Sequence, residues 1–196
     1  MNTTVAFLAQ TLAIFMGFFT RVVFTRTLSE GYVGINGLFT DILNIFSLSE
    51  LGVGTAITYA LYAPIARRDI KKQQILMRMF RNFYRITAGF VLLAGLCLIP
   101  FLDILMKDRP DVNHLIIIYL LYLLNSVVSY LLIYKKTLVD AHQMNYITVM
   151  YHNGFLVLQD ILQMMVLFLT RNFILFLVIA VVCTICLLYT SDAADD

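Results

Sequence analysis

Long apolar runs separated by short polar stretches make up most of the chain, and they predict transmembrane helices. A bilayer core about 30 Å thick needs about 20 helical residues to cross it. Membrane strands would instead alternate apolar and polar positions, which these continuous runs do not. The predicted helices cover residues 5–24, 33–62, 83–106, 113–134, 147–169 and a run that starts at 172 and is cut off. Because the connections are short, we expect an all-α, six-helix transmembrane bundle whose consecutive helices pack as antiparallel neighbours.

Three prolines mark the expected limits of these helices. Pro64 closes the second helix, Pro100 kinks or ends the third, and Pro110 lies in the turn before the fourth. Proline has no backbone N–H and its ring clashes with the preceding helical turn, so it favours helix ends.

The polar stretch between the second and third helices has a helical pattern of its own. Apolar and basic residues recur on two sides of residues 71–85, which predicts an amphipathic helix at the lipid interface, with its bases facing anionic headgroups. Binding of a partner protein is the alternative. The two sets are Ile75, Leu76, Met79, Phe80 and Phe83, and Lys71, Lys72, Arg78, Arg81 and Arg85.

Lysine and arginine determine the predicted orientation, because cytoplasmic loops are enriched in them. Residues 64–85 hold seven of the 14 basic residues against the single acid Asp69, so this connection is assigned to the cytoplasm. The N-terminus is then also cytoplasmic. The connections at residues 28–32, 107–112 and 171 fall outside, and the one at residues 135–142 falls inside.

Composition excludes several classes of protein. Hydrophobic residues make up 61% and charged residues 13% of the chain, and the mean hydropathy is +0.85. A soluble enzyme or a nucleic-acid-binding module would lack the polar surface it needs, and a net charge of +2 is too small to favour nucleic acid. Neither a nucleophile–base pair, a phosphate loop nor metal-ligand spacing is present. We therefore expect no enzymatic activity, no cofactor and no metal.

The ends of the chain suggest a fragment. Residues 186–196 read CLLYTSDAADD and resemble the translation of a sequencing adapter; a short acidic tail is the alternative. The native sequence is then expected to end near Ile185, and leaving out Asp192, Asp195 and Asp196 raises the net charge from +2 to +5. At the other end, the first helix begins with no basic leader, so an upstream start is expected.

Charged side chains inside the predicted helices are the first candidates for a functional site, because each costs at least about 2.5–3.5 kcal/mol to insert. They are Arg21, Asp41, Glu50 and Asp160. At about 1.5 Å per residue, Arg21 lies about 7 Å and Asp41 about 10 Å outward of the midplane on neighbouring helices, which predicts an ion pair. Glu50 lies near the midplane, on the opposite side of the helix from Asp41 unless that helix bends. A polar cavity and a purely structural network both remain open.

Uncharged polar residues near helix centres form a second group. They are Asn125, Ser126 and Ser129 on the fourth helix, and Gln159 and Gln163 on the fifth. Such residues line a hydrated path or hold a bundle together by interhelical hydrogen bonds, and for Asn125 we favour the second interpretation.

Four short elements in the first 90 residues occur together. They are FTR-x-x-F-x-R at residues 19–26, YVGINGLF at 32–39, SELGVGTAI at 49–57 and LY-x-P-I-A at 61–66. In combination they resemble the start of a protein of the polysaccharide transporter branch of the multidrug/oligosaccharidyl-lipid/polysaccharide (MOP) flippase superfamily. Beyond this region only the helix pattern agrees.

The resemblance implies two six-helix bundles in the cytoplasmic membrane around a central cavity, which binds the sugar-diphosphate headgroup of a lipid-linked oligosaccharide. This chain would supply the first bundle, and the missing C-terminal half of the same protein would supply the second. The family implies cations in the cavity, and Arg21 and Arg26 stand in its motif here. An arginine guanidinium suits a diphosphate because it donates two hydrogen bonds at once.

Three other functions remain open on the sequence. A drug or ion exporter of the same superfamily would use acids such as Asp41 and Glu50 to bind cations or protons. A membrane-embedded glycan polymerase or ligase usually needs a large outside loop, and the outside connections here are short. A non-catalytic assembly subunit would not need charge at mid-depth.

Overall fold

The computed structural model describes residues 2–47, 53–102, 114–141 and 145–193. In these ranges the chain is almost entirely helical, and the all-α class is confirmed. The helices are α1 (Asn2–Thr27), α2 (Glu30–Ser47), α3 (Val53–Ala66), α4 (Ile70–Leu98), α5 (Leu115–Ala141), α6 (Asn145–Thr170) and α7 (Phe173–Ala193), and a 3-10 turn, Ile99–Phe101, follows α4.

Three of the described segments are long and apolar enough to cross a membrane. They are Phe7–Thr27 in α1, Ile70–Phe101 in α4 with its 3-10 turn, and Val149–Thr170 in α6. Three shorter apolar helices are Val53–Ala66, Leu115–Leu131 and Phe173–Leu187. Many large apolar side chains of the long helices are exposed, such as Phe7 and Phe18 on α1. Length, composition and apolar exterior together make this a membrane-associated protein.

Most of the predicted helices agree with the described elements to within a few residues. The first, fifth and sixth correspond to α1, α6 and α7, and the fourth corresponds to α5, which continues seven residues beyond the predicted end at residue 134. The second corresponds to α2 and α3, and residues 48–52 between them lie outside the described residues. Pro64 lies in the last turn of α3, and Pro100 lies in the 3-10 turn that follows α4. Pro110 lies outside the described residues.

The amphipathic stretch is helical as predicted, but the predicted start of the third helix at residue 83 is wrong. The basic stretch and the apolar span form one continuous helix, α4, of 29 residues. Asp69 caps its N-terminus by accepting a hydrogen bond from the backbone N–H of Lys72 at 3.1 Å. One buried stripe runs along both halves without a break, which explains why the helix does not end between them. Its members are Phe80, Tyr84, Ala88, Val91 and Gly95.

The packing of α1 differs from the expected order of antiparallel neighbours. α1 packs mainly against α6 and makes few contacts with α2. The side-chain amide of Asn153 donates to Gln10 at 2.9 Å across a sequence separation of 143 residues. Gly17 and Asp160 face each other at the same separation. Because both pairs are 143 residues apart, the contact positions advance in the same direction along both helices, so α1 and α6 run parallel.

The centre of the bundle is α5, which packs against α2, α3, α4 and α7. Its fully buried residues Ile118, Tyr119 and Leu123 meet Phe39 of α2 and Val91 of α4 in one apolar core. The Tyr119 hydroxyl donates to the carbonyl oxygen of Gly95 at 2.9 Å. Consecutive packing therefore holds for α4 and α5, but it does not hold for α1 and α2.

Candidate functional site

A polar seam between α1 and α6 contains the buried polar residues of the described chain. These are Thr20, Asn153 and Gln163, with exposed fractions of 6%, 3% and 4%. The seam follows a seven-residue repeat on each helix, which keeps one face towards a parallel partner. The repeating positions are Gln10, Gly17 and Phe24 on α1, and Asn153, Asp160 and Leu167 on α6.

A cavity of about 190 Å³ opens beside the middle of this seam. Gly17 and Asp160 lie at the centres of the apolar spans Phe7–Thr27 and Val149–Thr170. A Cβ atom at position 17 would lie 3.9 Å from Asp160 Oδ2, so glycine leaves space next to the carboxylate. The lining residues are Gly17, Thr20, Arg21, Phe24, Asn36, Asp160, Gln163 and Phe176.

Arg21 is the cation of the cavity. Its Cζ atom lies 5.7 Å from the centre of the Phe24 ring, a cation–π contact that orients the guanidinium. Within the part of the chain that the structure describes, no carboxylate forms an ion pair with Arg21. Its five N–H donors are therefore available to a ligand in the cavity.

Two amides are held in place at the cavity wall. The Tyr122 hydroxyl donates to the side-chain oxygen of Asn36. The side-chain NH₂ group of Gln163 donates to the backbone carbonyl oxygen of Phe176 at 3.0 Å. Each amide still has hydrogen-bonding capacity for a ligand, namely the NH₂ group of Asn36 and the oxygen of Gln163.

Aromatic rings pack at the end of the cavity nearest the α1–α2 connection. The ring centre of Phe24 lies 5.5 Å from that of Phe173 and 5.3 Å from that of Phe176. Tyr32 extends the cluster, with its ring centre 5.3 Å from that of Phe173. Phe24 and Phe176 line the polar cavity, and Tyr32 lies beyond them at the connection.

The structure brings two of the predicted site residues, Arg21 and Asp160, into this one cavity. The predicted pair of Arg21 with Asp41 is not formed. Asp41 is exposed on α2 and does not line the cavity. It lies five residues after Asn36, which does line it, and is therefore about 140° around the helix from Asn36. Arg26 is exposed in the last turn of α1, where a cation complements the helix dipole, and it also lies outside the cavity.

The remaining predicted site residues do not belong to the cavity as described. The side-chain oxygen of Asn125 accepts a hydrogen bond from the Thr184 hydroxyl at 2.9 Å, which links α5 to α7. This hydrogen bond agrees with the favoured interhelical interpretation, and Asn125 does not line the cavity. Glu50 lies outside the described residues.

Sequence reasoning missed several residues of the site. Thr20, Asn36 and Tyr122 were not singled out, and neither were Gln10 and Asn153 of the seam. The seven-residue spacing on α1 and α6 was visible in the sequence and would have indicated which two helices meet.

The arrangement offers hydrogen-bond donors and acceptors to a polar ligand. It combines a guanidinium, a carboxylate and two amides in a recess of a membrane-associated helix bundle. Among the described residues no group of three His, Cys, Asp or Glu side chains is placed to hold a metal ion. In comparisons with known proteins, no family model, curated protein or solved structure matches this chain. The likeness to the flippase superfamily therefore stands on its four short motifs.

Proposed function

We propose that this chain is the N-terminal, six-span bundle of a flippase that moves lipid-linked oligosaccharide or polysaccharide units across the cytoplasmic membrane. The observation that supports it is the exposed guanidinium of Arg21, which lines a polar cavity four residues from the centre of an apolar span and has no ion-pair partner among the described residues. A charge at such depth is costly, and in transport proteins it commonly marks the substrate path.

The cavity groups match the chemistry of a sugar-diphosphate headgroup. Arg21 binds phosphate oxygens in the bidentate geometry that an arginine offers. Asn36 and Gln163 bind sugar hydroxyls with the donors and acceptors that their fixed hydrogen bonds leave over. Asp160 does not pair with Arg21, but its negative charge in the same cavity offsets the positive charge of the guanidinium.

The cavity measures about 190 Å³, whereas pockets that enclose small ligands usually measure about 300–1,000 Å³. The residues that line it therefore form one side of a larger site. The other wall comes from the C-terminal half that the family resemblance implies. Rocking of the two halves opens the site to each leaflet in turn.

The test is export of glycan in cells that carry the whole gene with single substitutions. Arg21→Ala should reduce export at least about tenfold, the loss expected for one charge-assisted hydrogen bond worth about 1.5–3 kcal/mol. Arg21→Lys should restore it only in part, because lysine cannot bind in the bidentate geometry. Arg26→Gln removes the same charge from the same helix outside the cavity and should export within about twofold of the wild type.

Protein level and thermal stability in detergent separate transport from folding. The proposal fails if Arg21→Ala exports normally. It also fails if Arg26→Gln loses as much export as Arg21→Ala while both variants remain folded.

A second candidate, a proton- or cation-coupled exporter of the same superfamily, is favoured by the carboxylate of Asp160 at the centre of α6. Asp160→Asn distinguishes the two. If Asp160 only balances Arg21, the neutral amide should keep most of the transport. If Asp160 carries the coupling ion, Asp160→Asn should abolish transport, and an imposed ion gradient should not restore it.

A further inference from the structure

The segment formed by α4 and its 3-10 turn is longer than a membrane is thick. Ile70–Phe101 spans 32 residues. At about 1.5 Å per residue this is about 48 Å, against about 30 Å of hydrocarbon. The C-terminal end, Ile99–Phe101, is apolar and the N-terminal end is basic. The N-terminal third therefore projects into the headgroup zone and the water beyond it.

The bases of this projecting part lie on one strip of the helix. Lys71, Arg78 and Arg85 are seven residues apart, and Arg81 falls between the last two. At about 100° per residue the four occupy a strip about 80° wide. Here this set is called the basic strip.

The basic strip has no acidic residues of its own helix to neutralise it. The α4 sequence contains neither aspartate nor glutamate. The carboxylate of Asp69, directly before α4, already caps the helix at Lys72. Among the described residues, no carboxylate pairs with the four bases, and the buried Nε atom of Arg81 has no hydrogen-bond partner.

The surface beside the basic strip is apolar and exposed. Ile75 and Ile86 are 68% and 73% exposed, and Phe90 and Leu93 continue the same face along the spanning part of α4. The opposite side of the strip borders the buried stripe that packs in the bundle. A ligand of the basic strip therefore contacts cationic side chains on the side of the water and an apolar surface on the side of the membrane core.

We propose that the basic strip binds the phosphate groups of anionic phospholipids in the leaflet that surrounds the N-terminal part of α4. The acyl chains of these lipids lie along Ile86, Phe90 and Leu93. A soluble polyanion or an acidic peptide would leave that apolar face unmatched, which is why a lipid fits better. The proposal does not depend on the transported substrate.

The experiment measures which lipids stay with the full chain. The protein is purified in a non-ionic detergent, incubated with mixed micelles of equal phosphatidylglycerol and phosphatidylcholine, and washed. Bound lipids are then quantified by mass spectrometry. The wild type should retain phosphatidylglycerol preferentially, and about 1 M NaCl, where the Debye length is about 3 Å, should remove most of that preference.

The decisive variants remove the same charge from different places. Loss of one charge-assisted hydrogen bond to a phosphate corresponds to about tenfold in binding, so Lys71→Gln, Arg78→Gln and Arg85→Gln together should lower the preference by at least about tenfold. The control combines Arg67→Gln, Arg68→Gln and Lys72→Gln, which lie off the strip, and should stay within about threefold of the wild type.

Several outcomes would overturn the proposal. One is an equal loss in the two triple variants, which would mean that total charge rather than the strip attracts the lipid. Another is displacement of the lipid by excess inorganic phosphate, which would mean a site for free phosphate. Gel filtration and circular dichroism verify folding. If the triple variant does not fold, Arg85→Gln alone replaces it. A phosphatidylglycerol preference that is unchanged in Arg85→Gln then also refutes lipid binding by the basic strip.

Discussion

Replacing Gly95 by alanine is expected to push α4 away from α5. A Cβ atom at position 95 would lie 2.9 Å from Leu123 Cδ2 and 3.2 Å from Leu123 Cγ, and closer still to Cδ1. Leu123 is only 1% exposed, so its side chain has little room to turn away. The shift would also strain the hydrogen bond from the Tyr119 hydroxyl to the Gly95 carbonyl oxygen.

The size of the effect follows from two opposing contributions. Overpacking a well-filled core costs about 1–3 kcal/mol. Alanine is favoured over glycine inside a helix by about 0.5–1 kcal/mol. We therefore expect Gly95→Ala to lower the free energy of unfolding by up to about 2.5 kcal/mol, with about 1 kcal/mol as the central value.

Gly89 on the same helix provides the matched control. A Cβ atom at position 89 meets nothing within 4 Å, so Gly89→Ala should keep only the favourable helix contribution and stabilise the protein. Unfolding is followed by circular dichroism during titration of the detergent-solubilised chain with sodium dodecyl sulfate. If Gly95→Ala is as stable as Gly89→Ala, the close approach of α4 and α5 is refuted.

A double-mutant cycle isolates the contact with Leu123. Leu123→Ala alone should cost about 2–5 kcal/mol, as for other buried leucines. In the Leu123→Ala background the methyl group at position 95 has space, so Gly95→Ala should no longer destabilise. Strictly additive effects would show that the two residues do not touch.

Asn172→Ala should lower the free energy of unfolding by about 1 kcal/mol in the same assay, because the Asn172 side chain accepts hydrogen bonds from the first backbone N–H groups of α7 at 2.9 and 3.4 Å. An unchanged unfolding curve would contradict the cap. Thr184→Val should cost about 0.6 kcal/mol, the average for such interhelical bonds, and should lose its effect once Asn125→Val is present. Equal effects in both backgrounds would contradict the bond. In a cysteine-labelling experiment, position 71 should react from the cytoplasm and position 171 from outside; the reverse pattern would overturn the proposed orientation.

The limits of the helices were largely predictable because they follow from local properties. Apolar runs of spanning length define α1 and α6, and Pro100 follows the end of α4. The start of α4 was missed because the pattern changes there from amphipathic to apolar. A change of composition is not a helix break, since the buried stripe from Phe80 to Gly95 keeps its spacing through it.

The neighbours of each helix could be predicted much less well. Arg21 and Asp41 were paired by their depth in the membrane, but depth gives no information on the direction in which a side chain points. Short connections likewise suggested that α1 packs against α2, whereas the polar seam joins α1 to α6. The acid that shares the cavity with Arg21 is Asp160, far away in the sequence.

The parallel seam also sets an order of events during synthesis. The Asn153 partner of Gln10 is made 143 residues later. At about 5–20 residues per second, α1 waits roughly 7–30 s for α6. During that interval the polar face of α1, with Gln10, Thr20 and Arg21, has no partner helix. We expect α1 to stay at the insertion machinery or near the membrane surface until α6 emerges, so the first helix to be made is among the last to settle.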